Sequence, residues 1–245
     1  MWTKNSIKYI IFNVDYIYME DVVMQVMDNV NIIVKDKTIE KEENYVYRVI
    51  KRLFDFFSAL LGVVLLSPVF LVLILWVKLD SKGPAIFGHK RIGKNGRTIK
   101  VYKFRSMVRN ADEVFENFTP EQKKEFQINF KLENDPRITK AGNFLRRTSL
   151  DELPQLFNIL IGNMSVVGPR PIVDNEIEKY GTYANKLVSV KPGLTGYWQA
   201  NGRSDTTYEE RVLMDMYYID NRSLVLDIKI IIKTVFSVIN GEGAM

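Results

Sequence analysis

The 245-residue chain carries 34 lysines and arginines against 29 aspartates and glutamates, a formal charge of +5, and 47% of its residues are hydrophobic. That length and apolar content suit one ordinary folded domain with appendages and exclude a disordered chain, while the absence of cysteine excludes disulfides, thiolate metal sites and a cysteine nucleophile. The single histidine, His89, argues against a histidine-rich metal site, and the basic balance points to an anionic partner: nucleic acid, a phosphorylated substrate or anionic lipid.

Residues 1–44 combine a short apolar run, Ile7 to Val14, with acidic residues and a strand-like piece, Val30 to Val34, before the turn-prone Lys35-Asp36-Lys37. The run is too short to span a bilayer and lacks the small-residue cleavage site of a signal peptide, so this stretch reads as an N-terminal extension without an assigned role. Composition then changes abruptly, and Phe56 to Val77 is apolar almost throughout. A straight helix of that length rises about 33 Å, enough for a hydrocarbon layer of about 30 Å. Two features argue against a simple crossing. Ser67-Pro68 falls near the middle, where proline removes the amide that would bond the Val64 carbonyl and forces a break. Both flanks are also basic, with Arg48, Lys51 and Arg52 before and Lys78, Lys82, Lys90 and Arg91 after, which places both ends on the cytoplasmic side. Residues 45–80 are therefore expected to form a re-entrant membrane helical hairpin, with Ser67 meeting the freed backbone group.

Beyond Lys78 the chain has soluble character, with Gly83-Pro84, Gly93 to Gly96, Asp135-Pro136, Gly168 to Pro171 and Pro192-Gly193 marking turns. Val108 to Leu132, interrupted by Thr119-Pro120, predicts two surface helices. Near the end, Leu224 to Ile239 predicts a helix whose apolar and lysine-bearing positions suit either a membrane interface or the core.

Chemistry concentrates around Arg146 to Gln155. Ser149 followed by Glu152 fits a capping box, which would set Asp151 and Glu152 in the first turn of a helix through Phe157 and Leu160, with Pro154 tolerated near its start. Successive helical residues point about 100° apart, so the two carboxylates are expected to do different jobs: one a nucleophile towards phosphorus, kept ionised by the helix N-terminus and nearby arginines, the other a metal ligand. A carboxylate attacking a diphosphate needs counter-charge. Lys103 and Arg105, Arg146, Arg170 in Gly-Pro-Arg-Pro, and Arg203 in Asn-Gly-Arg-Ser are the candidates for holding phosphate, and Mg²⁺ is a hard cation suited to bridging diphosphate and carboxylate oxygens. There is no phosphate loop of the Gly-x-x-x-x-Gly-Lys-Ser/Thr type, no Gly-x-Gly-x-x-Gly fingerprint and no Gly-x-Ser-x-Gly elbow.

These residues carry a resemblance. Lys51-Arg52-Leu53-Phe54-Asp55 leading into the Ser67-Pro68 break, Lys103 to Met107, Asp135-Pro136-Arg137, Ser149 to Gln155, Gly168 to Pro171 and Lys191 to Gly196 together resemble the bacterial sugar transferases, the monotopic phosphoglycosyl transferases, from Tyr45 to Met245. The resemblance implies a compact, helix-rich α/β catalytic domain over residues 81–245, interfacial amphipathic helices, a re-entrant anchor and Mg²⁺ dependence. It also implies a lipid bilayer partner, a cytoplasmic-face active site at the bacterial inner membrane, and initiation of capsule, exopolysaccharide or O-antigen glycan assembly. Carried over by position, it makes Asp151 the nucleophile towards the β-phosphate of a UDP-sugar and Glu152 the metal ligand. Lys103, Arg146, Arg170 and Arg203 then hold phosphate or nucleotide, and undecaprenyl phosphate is the acceptor. The segment Lys191 to Met245 is similar to members acting on UDP-galactose or UDP-glucose. A non-catalytic module binding polyprenyl phosphate or anionic lipid is the rival reading. Nucleic acid is not expected as a partner, because no Lys/Arg-dense face with interleaved aromatics accompanies the apolar segment. A homo-oligomer stays open.

Overall fold

The computed structural model describes residues 45–129, 132, 134–201 and 206–239. The readings for residues 1–44 and for Arg203 lie outside the described residues. Two helices open the described chain, α1 (Tyr45–Leu65) and α2 (Ser67–Asp80), and their axes diverge by 64° at Leu66. The break has the cause the sequence suggests: Pro68 has no amide for the Val64 carbonyl, and the Ser67 hydroxyl donates to that oxygen at 2.8 Å instead. The chain turns there without doubling back, so the expected hairpin is an open V. Among the described residues no single helix is long and apolar enough to cross a membrane, and only this bent pair has the length and composition together.

A β-ribbon comes next. Strands β1 (Ile86–Ile92) and β2 (Thr98–Phe104) pair antiparallel from Ile86 opposite Phe104 to Ile92 opposite Thr98. The connection closes through consecutive positive-φ residues, Asn95 at 59° and Gly96 at 71°, a handedness that matches the twist of the ribbon. The charged stretch forms α3 (Ala111–Glu116) and α4 (Pro120–Asn129), separated at Thr119-Pro120 as expected. Helix α5 (Lys140–Arg147) is capped by Thr139, whose hydroxyl accepts from the Gly142 amide, and by Asp80, which accepts from the Ala141 amide. A single 3₁₀ turn, Leu150–Glu152, leads into α6 (Gln155–Ile161).

The rest builds a second layer. Strands β3 (Ser165–Val167) and β4 (Gly193–Thr195) pair parallel, joined by a crossover containing 3₁₀ turns and α7 (Ala184–Val188). Three helices complete it: α8 (Tyr197–Asn201), α9 (Tyr208–Asn221) and α10 (Leu224–Ile239). Gly168, Gly193 and Gly196 stand where backbones meet, and a Cβ on Gly193 would fall 2.1 Å from the Gly168 amide nitrogen. That approach fixes the Gly168 to Pro171 loop.

One apolar cluster joins Ala59, Phe70 and Val77 of the bent pair to Phe104, Leu145 and Ile159, so residues 45–80 share a core with β2, α5 and α6. A second gathers Val167, Ile172, Val212, Met216 and Ile230. The outer face of the bent pair is apolar and exposed, including Leu61, Val64, Leu71, Val72, Leu75 and Leu79. Helix α10 is two-sided, turning Asp227 and Ile230 inward while Val225, Ile228, Ile232, Val235 and Phe236 form an exposed stripe.

Candidate active site

The site begins with how α6 docks. Asn158 is fully buried and its side chain completes the free edge of β2, accepting from the Tyr102 amide at 2.8 Å and donating to the Lys100 carbonyl at 2.7 Å. This amide acts as a one-residue strand. It fixes the 3₁₀ turn at the head of α6 against the end of β2, where Lys103 emerges. Lys103 Nζ lies 2.7 Å from Glu152 Oε1 and 3.6 Å from Asp151 Oδ2, so one ammonium bridges both carboxylates.

Local geometry differs from the expected capping box. Ser149 adopts a left-handed conformation, φ 57° and ψ 15°, and its side chain caps nothing. The helix proper starts at Gln155, with Pro154 at its N-cap, and the carboxylates ride on the 3₁₀ turn before it. A serine hydroxyl at positive φ does not point at the third amide, which is why the pattern failed here.

Arg146, on the last turn of α5, donates from Nε to the Ser106 hydroxyl at 2.9 Å, and its charge acts on both Asp151 and Asp135. Gly142 allows that arrangement, because a Cβ there would meet the Ser106 carbonyl oxygen at 2.0 Å. Asp135 holds Arg137 through paired bonds of 2.8 and 2.7 Å, and the Arg137 guanidinium lies 5.0 to 5.2 Å from the rings of Phe115, Phe118 and Phe126. Burial would push the Asp135 carboxyl up, but the hydrogen bonds and charge of Arg137 outweigh it and hold the group below its ordinary value.

Asp151 moves the other way. Burial drives its carboxyl above the usual aspartate value, with the Glu152 charge reinforcing and Lys103 and Arg146 opposing. The sequence pointed to a helix N-terminus and neighbouring arginines keeping it ionised; desolvation is the larger effect and acts the other way. Such a carboxylate is less well solvated than one in water and correspondingly more nucleophilic once ionised.

The remaining candidates divide. Arg105 is not at the site. Its guanidinium is buried and donates to the carbonyls of Val77, Ser81 and Lys82, closing the C-terminal end of α2. Arg170 is exposed on its glycine-fixed loop, 5.9 Å from the Trp198 ring, and its charge is felt by Arg91, Tyr208 and Asp215. The sequence reading missed Arg91 as a site residue. It pairs with Glu176 at 3.8 Å and senses both Glu152 and Arg170, so it links the two ends of the cationic surface. Strand alternation could have found it, since His89 and Arg91 lie two apart on β1, and His89 is held below its ordinary value by burial and by the charges of Arg91 and Lys103. Two of the flanking cations used to orient the membrane segment are also engaged inside the protein. Lys51 pairs with Asp227 at 2.8 Å, and Arg52 donates to the Ile159 and Leu160 carbonyls.

The sequence around Asp151 and Glu152 was compared with known proteins. The family model for bacterial sugar transferases matches residues 46–241. The chain belongs to the bacterial sugar transferase family. It is 47% identical over 201 residues to the undecaprenyl-phosphate galactose phosphotransferase of Salmonella typhimurium, covering 80% of this chain and 42% of that protein. Over 200 residues it is 46% identical to the UDP-glucose:undecaprenyl-phosphate glucose-1-phosphate transferase of Escherichia coli, covering 78% and 40% of the two chains. It is 45% identical over 197 residues to the exopolysaccharide production protein ExoY of Sinorhizobium fredii, covering 79% of this chain and 87% of that one. The matched region thus spans about two fifths of the first two relatives and most of the third. In this bacterial sugar transferase two carboxylates stand side by side, and among the described residues no group of three or more Asp, Glu or His gathers at one place. That donor set fits a hard cation sharing its remaining ligands with a diphosphate and water, and does not form a cage of its own.

Proposed function

We propose that the protein transfers a hexose 1-phosphate from a UDP-sugar, UDP-galactose or UDP-glucose, to undecaprenyl phosphate and releases UMP. The observation that carries this is the Asp151 carboxylate, largely buried, with the Lys103 ammonium 3.6 Å away and the Arg146 charge beside it. A lone nucleophile set among cations is what attack on a diphosphate requires, since two anions must approach each other.

In the first step an Asp151 oxygen forms a bond to the β-phosphorus of the donor while the bond from that phosphorus to the bridging oxygen breaks, and UMP leaves with the electron pair. In the second, a phosphate oxygen of the lipid attacks the same phosphorus and Asp151 departs as a carboxylate. Lys103, Arg91 and Arg146 hold the phosphoryl oxygens in both steps, and Arg170 is assigned to the donor's nucleotide end. Glu152 and Asp151 are the residues that would hold Mg²⁺, which when bound neutralises diphosphate charge. The apolar outer face of α1 and α2 and the stripe on α10 support seating in the bilayer interface. Arg48, Lys78, Lys82 and Lys90 support the cytoplasmic face of the bacterial inner membrane, where such a transfer starts a capsule, exopolysaccharide or O-antigen glycan.

Membranes containing the protein, supplied with UDP-galactose or UDP-glucose, Mg²⁺ and undecaprenyl phosphate, are expected to release UMP. Asp151→Asn should lower the rate by roughly 10⁴-fold or more. Release of UDP would mean direct glycosyl transfer instead, and no release from any UDP-sugar would favour a lipid-binding module. Because burial raises the Asp151 carboxyl, the acid limb of the rate profile should lie above the ordinary aspartate range, with activity lost as pH falls through it.

A further inference from the structure

Helix α5 has two faces with different tasks. Ala141 and Leu145 are fully buried in the core, and Arg146 turns towards Ser106 and Asp151. The opposite face presents Lys140, Asn143, Phe144 and Arg147, at spacings of three and four residues, and with Thr148 they line a groove of about 380 Å³. Lys140 and Arg147 are exposed, and among the described residues no hydrogen bond or ion pair engages either head group. The first-turn amides of the helix are already met by Thr139 and Asp80, so the groove is a side-chain site.

What borders this groove identifies its ligand. Phe144 packs on Trp76 of α2 at 5.1 Å between ring centroids, and Val72, Leu75, Trp76 and Leu79 form an exposed apolar stripe on α2. A cationic strip and an apolar strip therefore lie side by side on neighbouring helices. A molecule with a phosphate head and a long hydrocarbon tail satisfies both at once. Arg147 is also only four residues from Asp151, a separation of at most about 14 Å even if the chain were extended. Thr148 and Ser149 fold back on α5 through their amides, bonded to the Phe144 and Arg146 carbonyls, and shorten that path further.

We infer that the outer groove of α5, through Lys140 and Arg147 with the Trp76–Phe144 pair at its rim, is a docking site for the phosphate of the polyprenyl acceptor before it meets Asp151. This rests on the acceptor named under the proposed function. The two cations hold the phosphate monoester, the α2 stripe carries the first isoprene units, and the donor has no part in the site. Docking beside the nucleophile lets the acceptor wait while the donor occupies the phosphate position, as a two-step transfer requires.

The test separates the two half-reactions. Purified protein in phosphatidylcholine nanodiscs is mixed with UDP-sugar and Mg²⁺ without acceptor, and the UMP burst is measured; undecaprenyl phosphate is then titrated under turnover. For Lys140→Gln with Arg147→Gln the burst should be unchanged and the KM for undecaprenyl phosphate should rise about tenfold or more. Lys140→Arg with Arg147→Lys should restore it. An unchanged KM with an intact burst overturns the docking site while leaving the proposed function standing. Absence of the burst in the unmodified protein overturns the proposed function itself. A third arm replaces a quarter of the phosphatidylcholine by phosphatidylglycerol: if the variant's defect appears only there, the groove binds bulk anionic lipid and the acceptor site is refuted.

Discussion

Asp215 shows how much a single buried group commits the molecule to a pH range. It has no exposed surface, the Tyr180 hydroxyl donates to its Oδ2 at 2.8 Å, and its Oδ1 has no hydrogen-bond partner among the described residues. Burial pushes its carboxyl up to about 7, partly offset by the Tyr180 hydrogen bond and the Arg170 charge. The folded form thus keeps its proton where the unfolded chain has lost it, from about pH 4 to about pH 7, and stability falls as pH rises through that window by up to about 4 kcal/mol. Denaturant midpoints at about pH 5 and about pH 7.5 should show this slope, and Asp215→Asn should flatten it. A variant with the parent's slope would mean another group carries the proton. Arg105 gives a second case. With its head group closing the end of α2, Arg105→Ala should cost about 2 to 4 kcal/mol in unfolding free energy, because the Ser81 and Lys82 carbonyls lose the guanidinium donor and Val77 keeps only the Ser81 amide. Its effect should be on stability rather than on the burst of UMP. Lys103 and Arg105 look equivalent in sequence, but β2 ends at Phe104, so the alternation that sends Lys103 to the site no longer governs the residue after it.

At the level of elements, the break between α1 and α2 was legible because its cause is local. Pro68 removes one donor and Ser67 supplies another, both within four residues. Pro68→Ala would return an amide to the Val64 carbonyl and let the pair straighten. The joined helix should then be long enough to cross a bilayer, and, with the protein seated at the cytoplasmic face as proposed above, single cysteines placed at positions 82 and 90 should lose reactivity to an impermeant thiol reagent applied from that side. Unchanged labelling would show that packing against the catalytic domain, not proline, sets the bend. The turn carrying Asp151 was less legible. The Ser149 to Glu152 pattern is the same in a capping box and in this 3₁₀ turn; what separates them is the backbone angle at Ser149, which depends on where α5 ends and where Asn158 anchors α6.

For the whole molecule, the first and last described helices are joined by one cation. Lys51 Nζ lies 2.8 Å from Asp227 on α10, 3.3 Å from Asp55 and 3.3 Å from the Val167 carbonyl, and Asp55 also accepts from the Val166 amide at 3.0 Å. The Tyr218 hydroxyl lies between Asp227 and the same Val167 carbonyl. Lys51→Met would leave two buried carboxylates without their counter-charge and should destabilise by roughly 3 to 5 kcal/mol, read from thermal or denaturant unfolding, with Lys51→Met plus Asp227→Asn recovering part of the loss. Additive losses in the double variant would show that the two residues act separately. Whatever depends on neighbours along the chain could be read before folding: the apolar segment and its break, the turn at Gly93 to Gly96, the adjacent carboxylates, and the family to which their order belongs; the strands either side of that turn were not read. Which cations serve the site could not be read either, and was settled by packing. Arginine and lysine look alike along a chain, and their tasks are set by whichever carbonyl, carboxylate or ring the fold brings within reach: backbone for Arg52 and Arg105, Asp227 for Lys51, Asp151 and Glu152 for Lys103.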